Sequence, residues 1–148
     1  MRYPLLLSII LMLAFGSCKK KYSNQTETIV YLRNKSLPEI KGEVLGNWKI
    51  HYSYGGITGN RKTPMANSFF RVKANDSIYL TLENVNYAND IATFERQNTA
   101  FGYSAYMMNF TSLGGTPYSW IIDYKIKDTL ILVDNFPNAQ GYYMTKFP

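Results

Sequence analysis

Along much of this chain oily and polar residues take turns. Trp48, Ile50, Tyr52 and Tyr54 alternate with Lys49, His51 and Ser53. Ile78, Leu80 and Leu82 alternate with Tyr79, Thr81 and Glu83, and Trp120, Ile122, Tyr124 and Ile126 with Asp123, Lys125 and Lys127. A period of two belongs to extended chain, whose successive side chains point to opposite faces of a sheet. Read by this parity, Tyr52, Tyr54 and Tyr124 face inward, and His51, Asp123 and Asp134 face water. Tyrosine, phenylalanine, threonine and isoleucine, frequent in these runs, all suit strands.

Turn residues punctuate the runs. Gly55-Gly56 through Gly59-Asn60 end the first, and Asn75-Asp76 divides Phe69–Lys73 from Ser77–Leu82, which predicts a tight hairpin. Gly114-Gly115-Thr116-Pro117 precede the Trp120 run, Lys127-Asp128 separate it from Thr129–Val133, and Asn135 to Gly141 lead into Tyr142–Phe147. Several short strands at near-regular spacing predict an all-β fold, an antiparallel barrel of about eight strands, with a β-sandwich as the alternative. Tyr87 to Arg96 is the one place where a short helical turn competes.

The amino-terminal end breaks this pattern. Met1-Arg2 makes a short basic start, Leu5 to Gly16 is almost wholly apolar, and Gly16-Ser17 precede Cys18, the only cysteine. This is the layout of a secretory signal peptide, and the apolar run falls short of the ~20 residues a membrane-crossing helix needs. Small residues followed at once by cysteine resemble a bacterial lipobox, with Phe15 where a smaller aliphatic residue is usual. The resemblance implies cleavage before Cys18 and lipidation of Cys18, whose acyl chains would hold the protein stably on a membrane. A single cysteine also excludes an intramolecular disulfide.

Residues 1–17 thus read as signal peptide, 18–41 as lipidated amino terminus and linker, and 42–148 as one domain. Within the linker, Ile29 to Leu32 make either a short first strand or a sticky patch, and Leu37-Pro38-Glu39 mark a break. Sixteen Lys and Arg against ten Asp and Glu give a net charge of +6. That charge serves solubility, or attraction to anionic headgroups or glycans. Lys19-Lys20-Lys21 would lie against the membrane, each contributing about 1 kcal/mol at an anionic surface. Export argues against nucleic acid as a partner.

At Gly46-Asn47-Trp48 the chain resembles lipocalins, whose first barrel strand opens with Gly-x-Trp. Together with Gly55-Gly56-Ile57-Thr58-Gly59 and the ending Gly141-Tyr142-Tyr143-Met144-Thr145-Lys146-Phe147, it is similar to small lipocalin-like lipoproteins of bacterial envelopes. The resemblance implies a lipocalin-like barrel over residues 42–148, with Trp48 closing one end. The arginine that stacks on this tryptophan in lipocalins has no evident counterpart, and Lys146 is the nearest candidate.

Catalytic chemistry finds little to stand on. His51 is the only histidine, no Gly-x-Ser-x-Gly elbow is present, and Asp123 and Asp134 read as solvated charges rather than an acid/base pair. His/Cys clusters and calcium loops are absent, so no metal and no cofactor is expected, and the chain does not read as an enzyme. What remains is an aromatic load of 13 Tyr, 8 Phe and 2 Trp. Rings supply large contact area with few rotatable bonds, and tyrosine adds a hydroxyl. A barrel cavity lined by Trp48, Tyr52, Tyr54 and Phe70, together with Phe94, Tyr106, Trp120 and Tyr124, would take an apolar or glycan-like ligand. Alternatively the rings fill the core themselves, with Met107-Met108 as gap-filling. Ser77 and Thr129, in Asp76-Ser77-Ile78 and Asp128-Thr129-Leu130, resemble acceptors for envelope O-glycosylation in some Gram-negative bacteria.

The expectation is a lipoprotein anchored to the outer membrane, on its periplasmic face, that binds a small apolar or amphipathic ligand or an envelope partner without catalysis. The alternative is a filled structural or interaction module, an accessory subunit of an envelope complex.

Overall fold

The computed structural model describes residues 27–56, 59 and 61–148. The expected signal peptide, Cys18 and Lys19-Lys20-Lys21 lie outside the described residues. The described residues form ten strands: β1 (Ile29–Tyr31), β2 (Gly46–Gly55), β3 (Lys62–Val72), β4 (Ser77–Leu82), β5 (Val85–Ile91), β6 (Thr93–Asn98), β7 (Ser104–Thr111), β8 (Pro117–Ile126), β9 (Thr129–Asp134) and β10 (Gln140–Lys146). Among the described residues a short α-helix, α1 (Leu37–Val44), and a 3-10 turn at Leu32–Asn34 precede β2. All pairings are antiparallel, in the order β5-β4-β3-β2-β10-β9-β8-β7-β6. The fold is all-β and barrel-like, as the periodicity predicts, with nine strands along the curled sheet. The region from Tyr87 to Arg96 belongs to β5 and β6 and holds no helical turn.

The two edge strands, β5 and β6, are consecutive in the chain and separated only by Ala92. One run of backbone thus pairs with β4 at one edge and, after Ala92, with β7 at the other. Two ties reinforce the seam: the Leu113 amide donates to the Tyr87 carbonyl (2.9 Å), and the Thr111 amide to an Asp90 carboxylate oxygen (2.7 Å).

The tight hairpins fall where the turn residues stand. Lys73 and Ser77 close the β3–β4 turn (2.9 Å), with Asp76 at φ 62°, and Lys127 at φ 52° turns β8 into β9. Asp and Asn tolerate this left-handed conformation better than most residues. Gly55 takes φ 94°, and a Cβ there would stand 2.8 Å from the Ala139 carbonyl oxygen, so only glycine fits.

From Ile29 onward the stretch expected to be linker is instead part of the fold. β1 pairs with the end of β8, Ile29 opposite Ile126, and Leu32, Ile40 and Val44 are fully buried in the core. Pro38, read above as a break, sits in the first turn of α1, where a missing N–H costs nothing. Ser36 and Glu39 form a capping box that starts the helix: the Ser36 amide and hydroxyl donate to Glu39 Oε2 at 2.8 and 2.6 Å. Glu43 accepts from Lys35 and Lys125, both at 2.8 Å, tying α1 to β8. The helix packs into the core through Ile40 and Val44, and the Val44 carbonyl, one of the orphans at a helix end, accepts from Trp48 Nε1 at 2.7 Å.

Inside the curl the side chains fill the space. Trp48, Phe70 and Trp120 are fully buried among Ile50, Ile78, Leu80, Met108, Ile122, Leu132 and Met144. Phe70 and Phe110 meet Trp120 edge-on at 5.3 and 5.1 Å between centroids, a favoured aromatic geometry.

Candidate functional site

Two β-bulges decide which rings reach the surface. In β2 the register slips between Ile50 and Tyr52, and in β8 between Ile122 and Tyr124. A bulge inserts one residue and re-aims the side chains beyond it. Trp48 and Ile50 therefore point in, but beyond the slip Ser53 is the buried residue, and Tyr52 and Tyr54 stand on the outer side. Likewise Trp120 and Ile122 point in, while Asp123 and Tyr124 turn outward.

The expected cavity lining therefore divides. Trp48, Phe70 and Trp120 are core, and Phe94 and Tyr106 pack against it partly buried. Tyr52, Tyr54 and Tyr124, expected inside, are outside. The eight residues line no common cavity: strict alternation carried the inward parity of Trp48 and Trp120 past a slip that reverses it.

Outside, β2, β10, β9 and β8 carry a groove of about 450 Å³, within the range of small-ligand sites. Its walls include Tyr54, Tyr124 and Tyr143, with Phe101 and Tyr103 from the β6–β7 connection and Ile131 and Val133 as a floor. Tyr143 stacks on Tyr52 at 4.5 Å, and its hydroxyl is 3.4 Å from that of Tyr124. Arg33 is not among the lining residues but stands against one of them, its guanidinium 4.4 Å from the Tyr31 ring and 4.9 Å from the Tyr103 ring. Such cation–π contacts hold the arginine in place.

Asp123 is the polar centre of the groove. Burial lifts its carboxyl above the usual range, opposed by a hydrogen bond from the Tyr103 hydroxyl and by the charge of Arg33. Burial, then the Asp123 charge, pushes the Tyr103 hydroxyl up to about 12. Asp123 Oδ1 is buried and accepts no hydrogen bond among the described residues. A buried acceptor in that state costs about 1–3 kcal/mol.

The other candidates lie elsewhere. His51 is exposed, as expected, its Nε2 2.8 Å from Thr145 Oγ1. Asp134 is not a solvated charge. It shares the inward parity of Leu130 and Leu132 and is 4% exposed, taking Trp120 Nε1 at 2.8 Å and the Tyr142 hydroxyl at 3.4 Å. Burial raises its pKa against these hydrogen bonds. Asp123 and Asp134 thus occupy opposite faces of the sheet. Lys146 Nζ stands 5.0 Å over the Trp48 ring. Ser77 and Thr129 both lie beside hairpin turns, partly exposed. Among the described residues no group of three or more His, Cys, Asp or Glu gathers where a metal could bind, and no helix is long and apolar enough to cross a membrane.

Sequence reasoning missed Arg33, Phe101, Tyr103 and Tyr143. Arg33 stood in presumed linker, and the other three in segments with no alternation to assign a face. Their one visible signal was the aromatic load itself.

The chain is thus a barrel-like antiparallel scaffold with a packed interior and an aromatic groove on its outer wall. Comparison with protein families, curated proteins and solved structures finds no match.

Proposed function

We propose that this protein is an envelope lipoprotein, tethered through Cys18 on the periplasmic face of an outer membrane, whose folded domain binds without catalysis through its outer aromatic groove. The observation that carries this reading is the pairing of a filled interior with an outer groove walled by Tyr54, Tyr124 and Tyr143. A carrier of internal cargo would need an enclosed apolar cavity, and here Trp48, Phe70 and Trp120 occupy that space. The lipobox-like Gly16-Ser17-Cys18 and the lipocalin-like Gly46-Asn47-Trp48 support the tether and the barrel assignment. Asp123 has no histidine or second carboxylate beside it in the groove lining, which favours binding over acid/base work.

The test is a photo-reactive benzophenone side chain in place of Tyr143, compared with the same group at Lys49, which is exposed elsewhere on the sheet. Irradiated in intact envelopes, the groove position should give a discrete adduct that the Lys49 position does not. Equal or absent labelling at the two positions would refute the groove as a binding site.

A further inference from the structure

We infer that the outer face of β2, β3 and β4 lies against an anionic phospholipid bilayer, with Lys49, Arg71 and Lys73 on headgroup phosphates and the rings of Phe69, Tyr79 and Phe147 among the headgroups. This surface is separate from the groove, which takes β2 only beyond its bulge and is lined by none of these residues. It rests on the Cys18 tether only for nearness to a membrane.

Strand parity sets the face. Trp48, Ile50, Phe70, Val72, Ile78 and Leu80 are buried, so Lys49, Phe69, Arg71 and Tyr79 between them turn outward, and all four are exposed. The ladder sets them side by side, Lys49 opposite Phe69 and Arg71 opposite Tyr79. Phe147, just past β10, meets the Phe69 ring at 5.6 Å between centroids, and Lys73 Nζ stands 4.8 Å from the Tyr79 ring. Phe69, Tyr79 and Phe147 are 37%, 38% and 36% exposed, so rings and cations share one wet surface.

The charge of this face is not cancelled. Among the described residues the salt bridges join Glu27, Glu43 and Asp76 to Lys35, Lys41, Lys125 and Lys127, and none reaches Lys49, Arg71 or Lys73. Arg71 donates to Asn47 Oδ1 and Lys73 to the Tyr79 hydroxyl, both neutral acceptors. The outward positions Asn47, Lys49 and His51 on β2, Phe69 and Arg71 on β3, and Tyr79 and Thr81 on β4 include no carboxylate. The acids that flank them in the chain are Asp76, bound to Lys41, and Glu83 in the β4–β5 turn.

This mixture selects the occupant. A soluble polyanion would satisfy the cations and leave the rings in water. An apolar protein surface would cover the rings and strip water from three charges with nothing to offset the cost. A headgroup layer answers both, with phosphates at the level of the cations and acyl carbon just beneath. The entry of the chain agrees. One row of the sheet runs from Ile29 through Ile126, Thr129 and Thr145 to Lys49 and Phe69. Its ends stand about 24 Å apart along the wall, at about 4.8 Å per strand. The eleven residues from Cys18 to Ile29 can span at most about 40 Å, so a lipid on Cys18 leaves this face within reach of the bilayer.

The experiment places a benzophenone side chain at Tyr79, or at Ser104 as an exposed control on β7. The full chain is mixed with vesicles of phosphatidylcholine, alone or with about one-third phosphatidylglycerol, then floated and irradiated, and phospholipid adducts are measured by mass spectrometry. With phosphatidylglycerol present, Tyr79 should form at least about threefold more lipid adduct than Ser104, an excess absent on phosphatidylcholine alone. Each cation at an anionic surface is worth about fivefold in affinity. Lys49→Glu, Arg71→Glu and Lys73→Glu together should therefore remove the excess, as should high salt. Circular dichroism checks the fold of that variant, and the milder pair Lys49→Gln and Lys73→Gln should lower the excess in the same direction. Equal lipid adducts at Tyr79 and Ser104 would overturn the inference whether or not the chain floats. So would an excess that survives the charge reversals, or, in intact envelopes, protein adducts at Tyr79 in place of lipid. Flotation reads the tether and adduct position reads the face, so their failures differ. Phospholipid captured at this face, Lys49 included, also differs in mass from a groove adduct at Tyr143, which keeps the two sites distinguishable.

Discussion

Trp48→Ala tests the architecture most directly. The indole is 1% exposed, lies in the core cluster with Val44 and Phe70, and donates from Nε1 to the Val44 carbonyl at 2.7 Å. Removing a buried tryptophan ring typically costs about 3–5 kcal/mol, because the lost apolar contact is joined by the cavity left behind. Part of that cost is the orphaned Val44 carbonyl, about 1–3 kcal/mol when no water reaches it. Trp48→Phe separates the two contributions: it keeps most of the ring and loses the donor, so it should cost about 1–3 kcal/mol. For a domain of this size the alanine variant should melt roughly 10–20 °C lower. The assay is urea unfolding of both variants, read by far-UV circular dichroism, with amide hydrogen exchange along α1. The phenylalanine variant should raise exchange in α1 ahead of the sheet, since the lost bond anchors the helix end. A loss below about 1 kcal/mol for Trp48→Ala would refute the claim that this ring joins helix and sheet in one packed interior.

Two further outcomes follow from the same structure, and a third from the sequence. Leu32→Ala should cost about 2–5 kcal/mol, as for other fully buried leucines, and a neutral result in urea unfolding would return residues before α1 to the status of linker. Asp134 has a raised pKa in the fold, so its contribution to stability is complete below about pH 4 and is lost as pH rises through the raised value. Relative to Asp134→Asn, which does not titrate, the unaltered protein should therefore lose stability from about pH 4 upward, and parallel stability–pH profiles would contradict that sign. Cys18→Ala should release the protein from the membrane fraction, and retention of the variant would rule out lipidation as the anchor.

Much of the fold was legible in the chain because strand periodicity and turn chemistry are local. The Ile78-Leu80 alternation, the Asn75-Asp76 turn and the Lys127-Asp128 turn all stand where the pattern put them. The bulges were not legible, because one inserted residue leaves no mark in composition and reverses every assignment after it. That single physical fact moved Tyr52, Tyr54 and Tyr124 from expected lining to outer surface. Other misreadings had signals in plain view. Ser36-Leu37-Pro38-Glu39 is a helix start in which the capping box outweighs the proline. Leu130, Leu132 and Asp134 share one parity, so the burial of the two leucines carries the aspartate inward. The groove itself joins residues 54, 101, 103, 123–124 and 143, which only the completed topology brings together.

The seam at Ala92 gives the barrel a preferred order of assembly. The two ends of its curled sheet are joined through Ala92 by one uninterrupted run of backbone, not by a ladder between two finished edges. The hairpins on either flank can zip locally, but the joint sets only after both are in place, and bringing distant pieces together early is entropically slow. The same joint is where the wall should breathe first in the folded protein, since side-chain and single amide ties stand there in place of a full strand pairing. The aromatic groove spans β2, β10, β9 and β8, but two of its rings, Phe101 and Tyr103, follow directly after β6, so opening of that joint should reach one wall of the groove.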